Sequence, residues 1–482
     1  MKILEKYIPT IGLEIHAQLK TNSKAYSSDK NLYGSAPNTN ISPVSLGHPG
    51  TLPVANQKVV EYAIKMGLAV GSSIRHYNEY SRKNYFYADL PKGYQITQDT
   101  TPICNGGYIT ILNERGNEKN ITINRIHMEE DAGKSMHEID PFNSLIDLNR
   151  AGVPLIEIVS EPEINSANEA YQYIHEIRSI LQYIEICDGN MEEGSLRCDA
   201  NISIKLQSSS KLGTKVEVKN MNSATNVKKA IEYEIKRQIE IVESGEKVVH
   251  ETRSFNAKNN TTISMRHKEK DNDYRYFPEP DIQPIYISQD YINKIKNELP
   301  QLPKELFIYF TEKLQLSDYD AKLLTYDKKT AYYFLEVINN TKNYKSAANL
   351  INGWMKSHIN EYSIDISSVN ILPKQLSDVI NLIDLGKINS TIATNQLLPA
   401  LINSKFSAEE IAKSNHWIQN SDKSSIQILV ELALKKYPEK VIEYKNGKKG
   451  LIGLFMGEIM KSSKGKVDPQ IANEILLKHL EK

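Results

Sequence analysis

Residues 194–204, G-S-L-R-C-D-A-N-I-S-I, alternate by chemistry at almost every step. Cys198, Ala200, Ile202 and Ile204 are small or apolar, while Arg197, Asp199, Asn201 and Ser203 between them can all bind phosphate, metal or amide groups. Successive strand side chains point to opposite faces, so this period of two places one face in a core and lines the other with polar groups ~7 Å apart. A solvated face usually carries Thr, Lys, Glu and Gln. An Arg-Asp-Asn-Ser row suits a polar cavity, provided other strands supply matching rows.

Four other stretches do. Around Ile11 to Leu19, apolar residues alternate with Glu14, His16 and Gln18, so Glu14 and His16 share a face. In residues 121–135, a regular strand puts Arg125, His127 and Glu129 on one side, and parity leaves open whether Glu129 or Glu130 points to the cavity. Glu157 lies among Leu155, Ile156, Ile158 and Val159, where an unpaired charge costs several kcal/mol unless it finds a partner or a metal. Lys215, Glu217 and Lys219 alternate with Val216 and Val218. Five such strands without a βαβ repeat predict an α+β chain whose antiparallel sheet has a charged concave face. Carboxylates with a histidine suit Mg²⁺ or Mn²⁺, and interspersed Arg and Lys suit the phosphates that such an ion bridges. No P-loop or Rossmann glycine pattern is present, so a nucleotide would be held by side chains on the sheet.

Charge narrows where the chemistry sits. The 482 residues carry 59 basic and 59 acidic side chains, which excludes a generally basic nucleic-acid binder but not a local basic surface. All eleven arginines lie between Arg75 and Arg275 in a chain otherwise biased to lysine. Arg115 and Arg237 read as ordinary surface residues; elsewhere the planar, bidentate donor points to carboxylate or phosphate recognition in the first ~280 residues. Residues 23–53, rich in Gly, Pro, Asn and Ser, predict a long ordered loop. Residues 80–98 pack Arg82 and Lys83 beside Tyr85, Phe86, Tyr87 and Tyr94, either as core-facing rings or as a site for a base, ribose or phosphate. Helices are predicted over 56–70, from the Ser166/Glu169 capping box, and over 223–242. Three scattered cysteines indicate neither disulfides nor a cysteine metal site, and with no leader-like or membrane-spanning run the expected compartment is the cytoplasm. Beyond Pro284 the chain turns to Lys-, Leu- and Ile-rich helical segments, with Ser317/Asp320 as a capping box. From Lys413 onward, 13 Lys against 8 acidic residues give 13 − 8 = +5, which suits contact with a nucleic-acid backbone and a solvated Lys-rich face equally.

Several strings carry a resemblance: I-G-L-E-I-H at Ile11, R-K-N-Y-F-Y at Arg82, H-M-E-E-D-A-G-K at His127, D-L-N-R-A-G-V-P-L-I-E-I-V-S-E-P at Asp147, E-E-G-S-L-R-C-D-A-N-I-S at Glu192, D-Y-R-Y-F-P-E-P-D at Asp273 and L-I-G-L-F-M-G-E-I-M-K at Leu451. With them the chain resembles, over essentially its whole length, the B-subunit family of the aspartyl/glutamyl-tRNA amidotransferases. The resemblance implies a glutamine synthetase-like cradle domain (1–298), an all-α middle domain (299–412) and a small helical, tRNA-binding tail domain (413–482). It also implies ATP-dependent phosphorylation of the side-chain carboxylate on misacylated Glu-tRNA(Gln) or Asp-tRNA(Asn), with Mg²⁺, followed by amidation. Ammonia would come from glutamine hydrolysis in a separate amidase, and a small third protein would clamp the two into a heterotrimer. Glu14, His16, Glu129 or Glu130, Glu157 and Asp199 match the family's metal and nucleotide carboxylate cluster, with Glu14, His16, Glu157 and Asp199 catalytic. Arg82, Lys83, Arg150, Arg197 and Lys219 are candidates for phosphate or tRNA 3′-end contacts. The chain departs from the family in its early loop. Many members have paired zinc-binding cysteines where Tyr26, Ser28, Ser42 and Ser45 stand, so no zinc is expected and packing must hold the loop. Without the strings, the same residues would fit a metal-dependent kinase or ligase acting on a small carboxylate.

Overall fold

The computed structural model describes residues 6–137, 139–267, 274–418, 423–463 and 467–481. Asp273, which opens one of the strings above, lies outside them. The five polar-faced stretches become β1 (Tyr7–Gln18), β2 (Glu118–Glu130), β3 (Pro154–Ser160), β4 (Leu196–Leu206) and β5 (Val216–Lys219). In the sheet they are consecutive neighbours, in the order β5-β4-β1-β3-β2. Beyond β5 lie β6 (Glu251–Asn256) and β7 (Thr261–His267), and beyond β2 lie two short strands, Cys104–Asn105 and Ser73–Ile74. Every pair along this path is antiparallel except β5 with β6. That departs from the expected antiparallel sheet. A parallel pair needs a crossover connection, and the helix between β5 and β6 supplies it.

Three helices cover the apolar face: α1 (Gln57–Ala69), α2 (Ala167–Tyr183) and α3 (Ala224–Glu243). Ile11, Leu13 and Ile15 of β1 share one core with Ile64, Ile174, Ile177, Val227 and Ile231 of these helices. Each helix starts at a side-chain cap, since the first turn leaves N–H groups without intrahelical partners. Asn56 accepts from the N–H of Lys58, Ser166 from Glu169 and Ser223 from Asn226. The Ser166/Glu169 box is only half made, because the Glu169 carboxylate turns to the Asn165 N–H and to Lys119. Arg237 is not the surface residue its sequence suggests. Its guanidinium joins Arg253, Glu234 and Glu251 in an ion cluster between α3 and β6, where Glu234 is fully buried.

Apart from one isolated bridge, Ser23 to Lys30, the long early loop has no regular strand or helix. Polar contacts tie it together as well as packing. The hydroxyls of Ser27, Ser42 and Ser45 converge on Oδ2 of Asp29, while Tyr26 is buried edge-on against Tyr80 and Ser28 is exposed. One carboxylate oxygen therefore gathers hydroxyls from both ends of the loop.

The chain divides into two compact units, the second starting at Pro303. The named regular elements of that unit's described residues are all helices. Ser317 caps a helix at Asp320, and Ala347, Ala348, Ile351 and Met355 are buried. Toward its C-terminal end, Ile426, Val430, Phe455, Ile459, Ala472 and Leu476 form a separate core. Asp468 caps the final helix, Pro469–Glu481, by accepting the N–H of Gln470 at 2.8 Å. No helix among the described residues is long and apolar enough to cross a membrane.

Candidate active site

Register assembles the polar face. On β1, Glu14 lies opposite Asp199 of β4, and His16 lies between Arg197 of β4 and Glu157 of β3. Glu157 in turn faces His127 of β2, and Asn201 of β4 faces Glu217 of β5. Because side chains alternate, Glu129 shares the face of His127 and Glu130 takes the other. Two groups of potential ligands result, His16 with Glu129 and Glu157, and Glu14 with Asp199 and Glu217, each with ligand atoms within 4.8 Å of one another.

The first group is wired through two imidazoles. His127 Nε2 lies 3.3 Å from Glu129 Oε1 and 3.2 Å from Glu157 Oε2, and His16 Nε2 lies 3.4 Å from the same Glu157 oxygen. Burial alone would favour neutral imidazoles, but the charge of Glu157 and bonds to Glu129 and Glu157 push His127 up to about 9. For His16 the same opposition, burial against Glu157 and Glu129, also ends above the ordinary value. Burial raises Glu157, yet His16 and His127 together hold it well below the usual carboxylate range. Glu129 also accepts from the Thr97 hydroxyl at 2.8 Å and the Gln95 amide at 3.1 Å. The Lys83 ammonium lies over the Tyr274 ring, 5.2 Å from its centroid. Burial disfavours its charge, but Glu129 and Glu157 overcome that and hold it above its usual value.

The second group is more acidic. Lys219 Nζ lies 2.9 Å from Asp199 Oδ2 and 3.0 Å from Glu217 Oε1, while Glu14 Oε1 accepts from the Asn201 amide at 2.9 Å. Burial, with Glu157, Glu217 and Asp199 nearby, pushes the Glu14 carboxyl up despite Lys219. Three carboxylates against one ammonium leave a net charge of about −2 when all are ionised, which a divalent ion would match. Hard oxygen donors with one imidazole are the ligand set that Mg²⁺ or Mn²⁺ takes, so both groups fit such an ion.

The other sequence candidates fall in different places. Arg197 reaches the face but is held by Asp131, 2.8 Å away. Arg150 spends its fork on the carbonyl oxygens of Ala132 and Gly133 and lies 3.8 Å from Asp131. Arg82 is bound by Glu279 at 2.7 Å and Asp281 at 2.9 Å, with Tyr94 stacked 4.1 Å beneath it. It pins the strand Phe277–Pro278 to Ser81–Asn84 and is not brought to either ligand group. Nor is Glu130, which pairs with Lys92 and accepts the N–H of Ile96. Of the rings in this stretch Tyr80 is core, Tyr85 and Tyr94 are half-buried, and Phe86 and Tyr87 are exposed; Tyr85, Tyr87, Tyr274 and Tyr276 meet edge to face, and the Tyr85 hydroxyl donates to Gln95. Sequence patterns put His127 and Glu217 on polar faces without naming them as ligands, and do not single out Asp131. Nothing local says that β5 sits beside β4, which is what brings Glu217 to the site.

The family model described as GatB/GatE catalytic domain matches residues 9–293, and that described as GatB domain matches residues 332–480. A Thermodesulfovibrio yellowstonii protein, named as the B subunit of an aspartyl/glutamyl-tRNA(Asn/Gln) amidotransferase, is 45% identical over 475 residues, covering 98% of this chain and 99% of its own. Proteins of the same name from a Synechococcus strain and from Bdellovibrio bacteriovorus are each 46% identical, over 481 and 475 residues. They cover 99% and 98% of this chain, and 98% and 99% of their own lengths. The matched catalytic domain contains every residue of both ligand groups, and the chain belongs to the family of aspartyl/glutamyl-tRNA(Asn/Gln) amidotransferase B subunits.

Proposed function

We propose that the polar face of the β5-β4-β1-β3-β2 sheet uses ATP to phosphorylate the side-chain carboxylate of a misacylated Glu-tRNA(Gln) or Asp-tRNA(Asn), then amidates it. The observation that carries this reading is the pair of hard-donor groups, six ligands on one face, with Lys83, Arg197 and Lys219 around them. Glu14, His16, Glu129, Glu157, Asp199 and Glu217 would hold Mg²⁺, which when bound neutralises phosphate charge and orients the nucleotide. The protein's own part is to bring three anionic species together: the carboxylate, the γ-phosphate and the ligand face. Lys83 and Arg197 supply fixed positive charge where phosphate charge collects, and Asp131 holds the Arg197 guanidinium for that purpose.

A carboxylate oxygen attacks the γ-phosphorus as the bond to the β-phosphate oxygen breaks, releasing ADP. Ammonia then attacks the acyl carbon, the C–O bond breaks, and phosphate leaves with the former carboxylate oxygen while the nitrogen sheds a proton. The source of ammonia is a partner amidase, assembled with this chain and a small third protein as a heterotrimer in the cytoplasm. The Lys-rich tail from Lys413 grips tRNA backbone, supported by its +5 charge, 13 Lys minus 8 acidic residues, and its separate core.

One ATPase titration tests the reading. Misacylated tRNA should stimulate ADP formation and free glutamate should not; stimulation by free glutamate would favour a small-carboxylate kinase. Truncation before Lys413 should leave the maximal stimulated rate but raise the tRNA concentration needed, with a flatter dependence on salt. An unchanged salt slope would place tRNA elsewhere.

A further inference from the structure

Of the groups on the polar face, the Glu14, Asp199 and Glu217 cluster differs in how tightly its members are held. Glu217 is buried and also accepts the Thr252 hydroxyl at 2.9 Å, and Glu14 is tied to the Asn201 amide at 2.9 Å. Lys219 is the loose member. Its side chain is 39% exposed, against 17% for Asp199 and 9% for Glu217. It also ends β5, where Asn220 turns the backbone into the left-handed region at φ +65°. Its four-carbon stem can therefore swing to solvent without disturbing the strand, while the carboxylates cannot follow.

We infer that Lys219 is a built-in cation of the Glu14–Asp199–Glu217 group, occupying it in the ion-free chain and withdrawing when a divalent ion binds. This rests on the reading of the face as a metal and phosphate site. Two of the three carboxylates that would ligate an ion are already spent on the ammonium, and an ion and an ammonium on the same oxygens repel strongly at that separation. Lysine suits exchange better than arginine would, being a compact, well-hydrated charge on a flexible stem with no bidentate fork to hold it. Withdrawal has a second consequence. The released ammonium is free to meet a phosphate oxygen, so ion entry and phosphate contact are coupled through one side chain. In the absence of an ion, the same lysine offsets the mutual repulsion of three neighbouring carboxylates.

The test is Mn²⁺ binding to the full-length chain without nucleotide, followed by electron paramagnetic resonance of the free ion. Lys219→Met should bind one Mn²⁺ at least about tenfold more tightly than the parent chain, because the competing charge is gone. Lys219→Arg should bind no more tightly than the parent. Adding Glu217→Gln to Lys219→Met should remove the gain, which assigns it to this group and not to His16, Glu129 and Glu157. The rise in melting temperature caused by Mn²⁺ should be larger in Lys219→Met, a readout that accommodates a less stable ion-free variant. Unchanged or weaker Mn²⁺ binding in Lys219→Met overturns the exchange while leaving the metal reading intact. Absence of Mn²⁺ binding in parent and variant alike overturns both.

Discussion

Asp199→Asn is expected to lower misacylated-tRNA-dependent ATP turnover by about 10³-fold while leaving tRNA affinity nearly unchanged. The substitution is almost isosteric and removes one hard anionic oxygen from a group that has three carboxylates. Lys219 keeps its contact with Glu217, 3.0 Å away, so the local fold has no reason to open. Turnover and tRNA binding can be followed on one preparation. Full turnover in the variant would make Asp199 a structural partner of Lys219 and nothing more.

Glu157→Gln is expected to cost the metal-free protein about 3 kcal/mol, the low end of what breaking a buried pair costs, because an imidazolium left behind can shed its proton. The loss should depend on pH, and its sign follows from the histidines. His127 has a folded value of about 9, above the ordinary 6.5, so its stabilising contribution is fully present below about pH 6.5 and fades as pH rises through 9. Glu157, held low by His16 and His127, contributes above the ordinary carboxylate range. Both contributions coexist between about pH 5 and 7, where the penalty should be greatest, and it should shrink toward about pH 10. Denaturant melts with chelator at the two ends of that range measure it. A penalty that stays constant or grows with pH would mean that the imidazoles are neutral in the native chain.

What the sequence discloses and what it hides follow from range. Alternation is a local property, so Glu14, His16, Glu157, Arg197 and Asp199 can be assigned to polar faces from their own strands. Adjacency is not local. β1 lies at the centre of the five because β3 and β4 both pair with it across long separations, as where Leu13 N–H donates to Ser160 Oγ 147 residues away. Without that order, Glu217 cannot be placed beside Asn201, nor Lys219 on Asp199. Arg82 shows the opposite failure. In the sequence it looks free for phosphate, because Glu279, 197 residues later, is invisible as its partner until Phe277–Pro278 pairs with Ser81–Asn84. The early loop misleads in a similar way, since loss of thiol ligands leaves packing as the expected brace, and the convergence of three serines on Asp29 depends on how the loop closes. Glu129 and Glu130 are undecidable by parity, and register to β3 separates them.

Phosphorylation at this face requires that an oxygen of the substrate's own carboxylate pass to phosphate. Misacylated tRNA carrying oxygen-18 in both side-chain carboxylate oxygens, incubated with the assembled enzyme, ATP and glutamine, tests it most directly. One labelled oxygen is predicted in each inorganic phosphate formed with amidated product, and no label in phosphate when Asp199→Asn replaces the parent chain. Unlabelled phosphate accompanying amidation by the parent enzyme would contradict this, because ATP would then have been cleaved by water and not by the carboxylate.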